Sequence, residues 1–237
     1  MPKEKEETLI DHLEALRTML IKCLLALALG LLPMFFITPY IMNALIHVMI
    51  GKHEIALNFF SPMEVFILEL KIALVLDILV CFPYLAKQIW NFILPALYDH
   101  ERKFIKSIVL SSSALFIIGV LFCLFFILPL VIRFGMSFVT DNLHAMLGIG
   151  NILSLALWLS VIFGIMFQFP LVTYALICSD IIDYEAMTRK RRFVFIGILI
   201  LSGFLTPPDI ISQLLLTLPT YSLFEIGLFL AKKHKKI

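Results

Sequence analysis

The sequence predicts an all-α integral membrane protein: six transmembrane helices, several of them bent, in a cup-shaped bundle with both termini cytoplasmic and a short hairpin made by the fifth and sixth. Three observations predict it. Of 237 residues, 61% are hydrophobic and 15% charged, whereas soluble domains run about 45–50% and about 25%, so a soluble globular enzyme is excluded. Apolar stretches separated by charge or turn signals fall at 19–41, 65–85, 108–132, 152–178, 193–205 and 210–231. Sixteen of the nineteen Lys and Arg residues then fall on one side of the membrane. The net charge of +2 is too balanced for a nucleic-acid partner, whose binding domain is usually strongly basic.

The first span follows MPKEKEETLIDHLEALRTML, which carries Glu4, Glu6, Glu7, Asp11 and Glu14. It has no small-residue cleavage site after a short apolar core, so it reads as a retained span and not a secretory signal. Residues 9–17 read as an amphipathic helix entering it. The second span carries Asp77 midway and Lys71 toward its outer end, where the lysine stem can snorkel. Asp77 has no evident local partner, since Lys71 is six positions away on another helical face. The third holds Ser111, Ser112 and Ser113, small residues that let helices approach closely.

In the fourth span Gln168 precedes Phe169-Pro170. The proline removes a backbone donor and frees the carbonyl of Met166, so a kink with a partly wet face is expected, and interhelical hydrogen bonding is the plainer role for Gln168. The fifth run has thirteen residues, only about 20 Å of helix. It must thin the bilayer locally if it spans. Thr206-Pro207-Pro208-Asp209 makes the tight outer turn, and the sixth span bears Gln213 near that turn and Glu225 near the inner interface by Lys232 and Lys233. Pro33, Pro83, Pro129 and Pro219 bend the other spans. No intervening segment is long enough for a second domain, so residues 1–237 form a single transmembrane domain.

Orientation follows from four groups of four cations: Lys3, Lys5, Arg17 and Lys22; Lys87, Arg102, Lys103 and Lys106; Arg189 to Arg192; and Lys232, Lys233, Lys235 and Lys236. Positive residues beside spans stay cytoplasmic. The other side receives only Lys52 and Arg133.

Enzymatic chemistry finds no support. GxSxG, HExxH, the P-loop and GxGxxG are absent, and Gly148-Ile149-Gly150 lacks the third glycine. Cys23, Cys81, Cys123 and Cys178 are far apart and read as small buried hydrophobes, while the six histidines lie outside the apolar runs at no metal-ligand spacing. No cofactor or metal is expected. A proton-coupled small-solute transporter using Asp77, Gln168 and Glu225 is the alternative, but no internal repeat of the usual transporter kind is evident. On the basic face the few acids are informative: Glu14 either pairs with Arg17 at i,i+3 and Glu101 with Arg102 or Lys103, or both await an external cation.

The stretches LIDHLEALR, QIWNFILPALYDHERK, FGIMFQFPLV and LTPPDIISQLLLTLPTYSLFEIGLFL resemble, in order and separation, the signature segments of the TatC family, the multispanning core subunit of the twin-arginine protein translocase. The resemblance implies a six-span, cup-shaped receptor in the bacterial cytoplasmic (inner) membrane, assembled as an oligomer with TatA-type and TatB-type single-span partners. Such a receptor binds the paired arginines of export signals on folded passengers, which then cross at the expense of the proton-motive force. By the same resemblance Glu101 is the main carboxylate for signal arginines, with Phe92, Pro95, Leu97, Tyr98 and Arg102 beside it and Glu14 and Arg17 contributing from the amino-terminal motif. Thr206 and Gln213 match positions that contact a partner's helix; Asp209, Ser61 and Pro62 match outer-face positions. Two residues depart from the family pattern. Ala15 stands where HLxELR has glutamate, with the acid one place earlier at Glu14, and Gln168 stands where glutamate is usual, keeping polarity but not charge.

Overall fold

Helices make up every regular element of the computed structural model among the residues it describes, which are 9–50, 58, 61–93, 102–136, 148–179, 181–205 and 210–235. In chain order they are α1 (Leu9–Ile50), α2 (Pro62–Ile93), α3 (Arg102–Phe122), α4 (Leu128–Met136), α5 (Ile149–Met166), α6 (Phe169–Cys178), α7 (Tyr184–Arg189), α8 (Arg191–Leu205) and α9 (Ile210–Lys235). Each expected apolar stretch is helical. Four helical stretches are long and apolar enough to cross a bilayer: His12–Ile46, Lys106–Met136, Ile149–Cys178 and Gln213–His234. The other two differ in kind. At 32 residues α2 is long, but Glu64, Glu69, Lys71, Asp77 and Lys87 interrupt its apolar run; α8 has 15 residues, about 22 Å of helix.

The amphipathic segment 9–17 is helical and enters the first apolar stretch as expected, and α1 runs unbroken for 42 residues through Pro33 and Pro39. That is roughly 63 Å, about twice the hydrocarbon thickness. Proline acts differently farther on. Pro129 cannot donate to the preceding turn, and just before it the chain widens into a π turn, Cys123–Ile127, in which Leu128 N–H reaches Cys123 O. Such bulges absorb an interruption without ending the helix. Pro170 does end one: α5 stops at Met166 and α6 restarts at Phe169, the expected break in the fourth apolar stretch.

Principal contacts run α1 on α2, α2 on α3 and α5, α3 on α5, α6 on α9, and α9 on α8. One close crossing pairs Gly119 with Gly164, where a Cβ on either would strike α5 backbone or the Phe116 ring. One apolar cluster gathers Cys123, Ile127, Phe163, Met166, Phe167 and Leu216 at the middle of the bundle; a second seats Trp90 against Ala86, Ile108 and Ala175. Many large apolar side chains of α1 and α8 face outward, Leu29 and Phe204 being 76% and 84% exposed. In water such faces would be unfavourable by about 25 cal/mol per Å2; against lipid tails they carry no such cost.

Candidate functional site

The charged end of α1 lies along the end of α2 and leaves a groove of about 470 Å3 between them. From α1 it is lined by Glu14, Ala15, Thr18, Met19 and Lys22. From α2 come Gln88, Asn91 and Phe92. His12 stacks on Phe92, ring centroids 4.5 Å apart and 28° from parallel, which holds the first turns of α1 against α2. Glu14 and Arg17 are both exposed, and neither has an ion-pair partner among the described residues. The internal Glu14–Arg17 pairing is therefore not what the structure forms. Asn91 Oδ1 is buried and accepts no hydrogen bond from any described residue. The departure at Ala15 also gains a geometry: positions 14 and 15 face the same groove, so an acid at either is presented to it.

Of the residues expected to bind a signal, Glu14 and Phe92 come together here. Leu97, Tyr98 and Glu101, with Pro95, lie outside the described residues, as do Thr206 and Asp209. Arg102 opens α3, but its side chain and that of Pro62 are likewise outside the description. Ser61 precedes α2 and its Oγ accepts Met63 N–H at 3.3 Å. Pro62 is the first helical residue, a position where its missing donor costs nothing. Sequence reasoning missed the neighbouring Glu64, whose Oε1 accepts Gly150 N–H at 3.1 Å and so ties the start of α2 to the start of α5. The Ser61-x-x-Glu64 spacing of a capping box was its legible signal.

Lys71, Asp77, Gln168, Gln213 and Glu225 are each bonded inside the chain. Gln168 accepts from Ser112 Oγ at 2.6 Å and donates through Nε2 to Ser112 O and Gly164 O, both at 3.2 Å; interhelical bonding is thus its observed role. Lys71 Nζ donates to Ser154 Oγ at 2.9 Å. Asp77, only 2% exposed, accepts a 3.3 Å contact from Cys81 Sγ, a partner the sequence reading did not identify. Gln213 Nε2 donates to Leu199 O at 2.9 Å, so the expected partner-contact residue also joins α9 to α8. Glu225, expected near the inner interface, has Arg191, at 3.2 Å, and Tyr221 OH, at 2.8 Å, as its partners. Lys232 is seven residues on, about 10 Å along the axis, beyond the reach of the pair. Asp77, Gln168 and Glu225 sit in three separate helix contacts, so the groups a solute path would need do not converge.

Comparison with known proteins agrees with the pattern of motifs. The sequence profile of the family described as Sec-independent protein translocase protein (TatC) matches residues 11–219. The TatC protein of Carboxydothermus hydrogenoformans is 35% identical over 231 residues, covering 97% of this chain and 95% of that one. The TatC protein of Escherichia coli K12 is 32% identical over 241 residues, covering 98% and 91%. A crystal structure of the twin-arginine translocase receptor TatC superposes with a TM-score of 0.83 at 32% identity, covering 93% of this chain and 99% of that one. With a family match over most of its length, relatives above 30% identity and a shared all-helical fold, the chain belongs to the TatC family of Sec-independent protein translocase proteins.

Proposed function

We propose that this chain is the signal-receptor core of a bacterial twin-arginine translocase: one transmembrane domain of six spans in the cytoplasmic membrane, both termini cytoplasmic, carrying no catalytic step of its own. The observation that carries the reading is the α1–α2 groove, where the Glu14 carboxylate, without an ion-pair partner among the described residues, stands with Asn91 and Phe92 at an end rich in cations. A carboxylate left unpaired among lysines and arginines repels none of its surroundings and awaits a cation. A guanidinium satisfies it best, because its fixed fork gives two charge-assisted hydrogen bonds. Two consecutive arginines need a second acceptor, and Glu101, in the segment leaving α2, is assigned that part. Phe92 supplies a face for stacking and Leu97, Tyr98, Arg102 and Arg17 frame the site.

The short α8 supports the translocation part. At 15 residues it is about 8 Å short of the roughly 30 Å hydrocarbon layer, so the bilayer beside the α8–α9 hairpin thins. TatA-type and TatB-type single-span helices are assigned to that hairpin, against Thr206 and Gln213, with Asp209, Ser61 and Pro62 on the outer face. Transport draws on the proton-motive force. The test is crosslinking of a twin-arginine signal peptide to membranes containing the protein. The expected result is strong labelling with Arg-Arg, weak labelling with Lys-Lys, and loss in Glu101→Lys. Equal labelling of wild type and variant, or of the two peptides, overturns the assignment.

A further inference from the structure

A second cavity, of about 620 Å3, opens between α3, α6 and α9 at the end of the bundle where α9 finishes, and shares no residue with the α1–α2 groove. Its mouth is polar: Ser107, Tyr174, Lys233 and His234. Its depth is apolar, with Leu115, Pro170, Leu171 and Leu230. The zoning follows helix periodicity, since Ser107, Ser111 and Leu115 are successive turns of one α3 stripe that descends about 12 Å. Tyr174 OH lies 3.2 Å from His234 Nδ1. With the phenol donating, the ring proton sits on Nε2, which remains a donor beside the Lys233 ammonium. Among the described residues no acid lines the cavity, so none of them supplies an anion to its two nitrogen donors there.

We infer that this cavity is a binding site for one anionic phospholipid, its headgroup phosphate held by Lys233, His234 and the Ser107 hydroxyl and one acyl chain lying along Leu115, Leu171 and Leu230. Charge and shape select this occupant together. A free phosphate would leave the apolar depth empty, and a zwitterionic lipid would bring a quaternary ammonium against Lys233. The site is open on its α9 side, where the lining Leu230 is 45% exposed, so a lipid enters sideways from its own leaflet. The inference takes from the proposed orientation only that this leaflet is cytoplasmic, where anionic headgroups attract basic side chains.

The test is native mass spectrometry of the full chain titrated with phosphatidylglycerol or phosphatidylcholine. Wild type is expected to retain one phosphatidylglycerol selectively, and excess inorganic phosphate not to displace it. Lys233→Ala/His234→Ala should weaken retention about tenfold. Ser111→Phe, which fills the slot without touching its charge, should weaken it too. Arg189→Ala/Lys190→Ala, equally basic and outside the cavity, should leave it unchanged. Undiminished retention in the first variant, equal loss in the control, equal retention of phosphatidylcholine, or displacement by phosphate overturns the site. Because none of these variants touches the groove, twin-arginine peptide labelling stays at wild-type level whichever way the lipid result falls, and failure of the receptor reading leaves this test intact.

Discussion

Ser112 of α3 donates a 2.6 Å hydrogen bond to Gln168 Oε1 across the break between α5 and α6, and the Gln168 amide returns one to the Ser112 carbonyl. The same amide also caps α5. Gln168 N–H is diverted to Ile165 O at the turn, so it no longer serves Gly164 O, and the side-chain Nε2 takes that carbonyl instead. Gln168→Ala therefore removes a helix cap and an interhelical link together. In equilibrium unfolding in mixed micelles, a Ser112→Ala and Gln168→Ala cycle is expected to show a coupling of about 0.6–2 kcal/mol. Strict additivity would mean that the two side chains do not depend on each other. Passenger transport should fall more than signal labelling in Gln168→Ala, because the residue is remote from the α1–α2 groove.

Gly30 is the second place where an absent side chain decides the packing. A Cβ there would run into the Asp77 carboxyl and come within 3.2 Å of Cys81 Sγ, so α1 and α2 meet across a buried acid only because position 30 has no side chain. Gly30→Leu is expected to destabilise by about 1–3 kcal/mol, the usual cost of overpacking. Adding Asp77→Ala should restore part of that loss by vacating the space. A Gly30→Leu chain that unfolds like wild type in the same micelles would overturn the account.

The Arg191–Glu225 pair predicts an asymmetry. Glu225 has two partners, Arg191 and Tyr221. Arg191, whose buried Nε has no hydrogen-bond partner among the described residues, has Glu225 as its ion-pair partner. Removing Arg191 leaves Glu225 still hydrogen-bonded, whereas removing Glu225 leaves a half-buried guanidinium without its anion. Glu225→Ala should therefore cost more than Arg191→Ala. Both effects stay near 1 kcal/mol, because the side chains are 33% and 41% exposed and solvent screens them. A larger loss in Arg191→Ala would reverse the assignment.

What was legible in the sequence was what repeats locally. Apolar runs announced the helices, and Pro170 announced the break at Phe167–Gln168. The amphipathic reading of residues 9–17 supplied the start of α1, whose charged first turns hydropathy alone discounts. Pro129 announced a disturbance in the third span, but a missing donor does not say whether the chain kinks or widens into a π turn. Pairings over long separations were invisible. Lys71 with Ser154 and Ser112 with Gln168 are 83 and 56 residues apart, and only the packing of α2 and α3 on α5 brings them together. Glu225 was read against the cations that follow it in sequence, but its helix face turns to α8, where Arg191 waits.

The groove gives the departure at Ala15 a test of its own. One step along a helix turns a side chain by about 100°, so on an isolated helix an acid at 14 could not replace one at 15. Here the two positions line one concavity, because α1 lies across the end of α2 with His12 on Phe92 and exposes both sides of its inward face. What the site needs is then a carboxylate in the groove, and either position supplies it. Glu14→Ala should weaken Arg-Arg peptide binding at least tenfold, since each of the charge-assisted hydrogen bonds lost contributes about 1.5 kcal/mol. Glu14→Ala/Ala15→Glu should recover most of that loss, and Ala15→Glu alone should bind more tightly than wild type. Peptide titration by fluorescence anisotropy measures all three. If the double variant binds no better than Glu14→Ala, the angular position of the acid governs binding, and the groove is not read as a whole by the peptide.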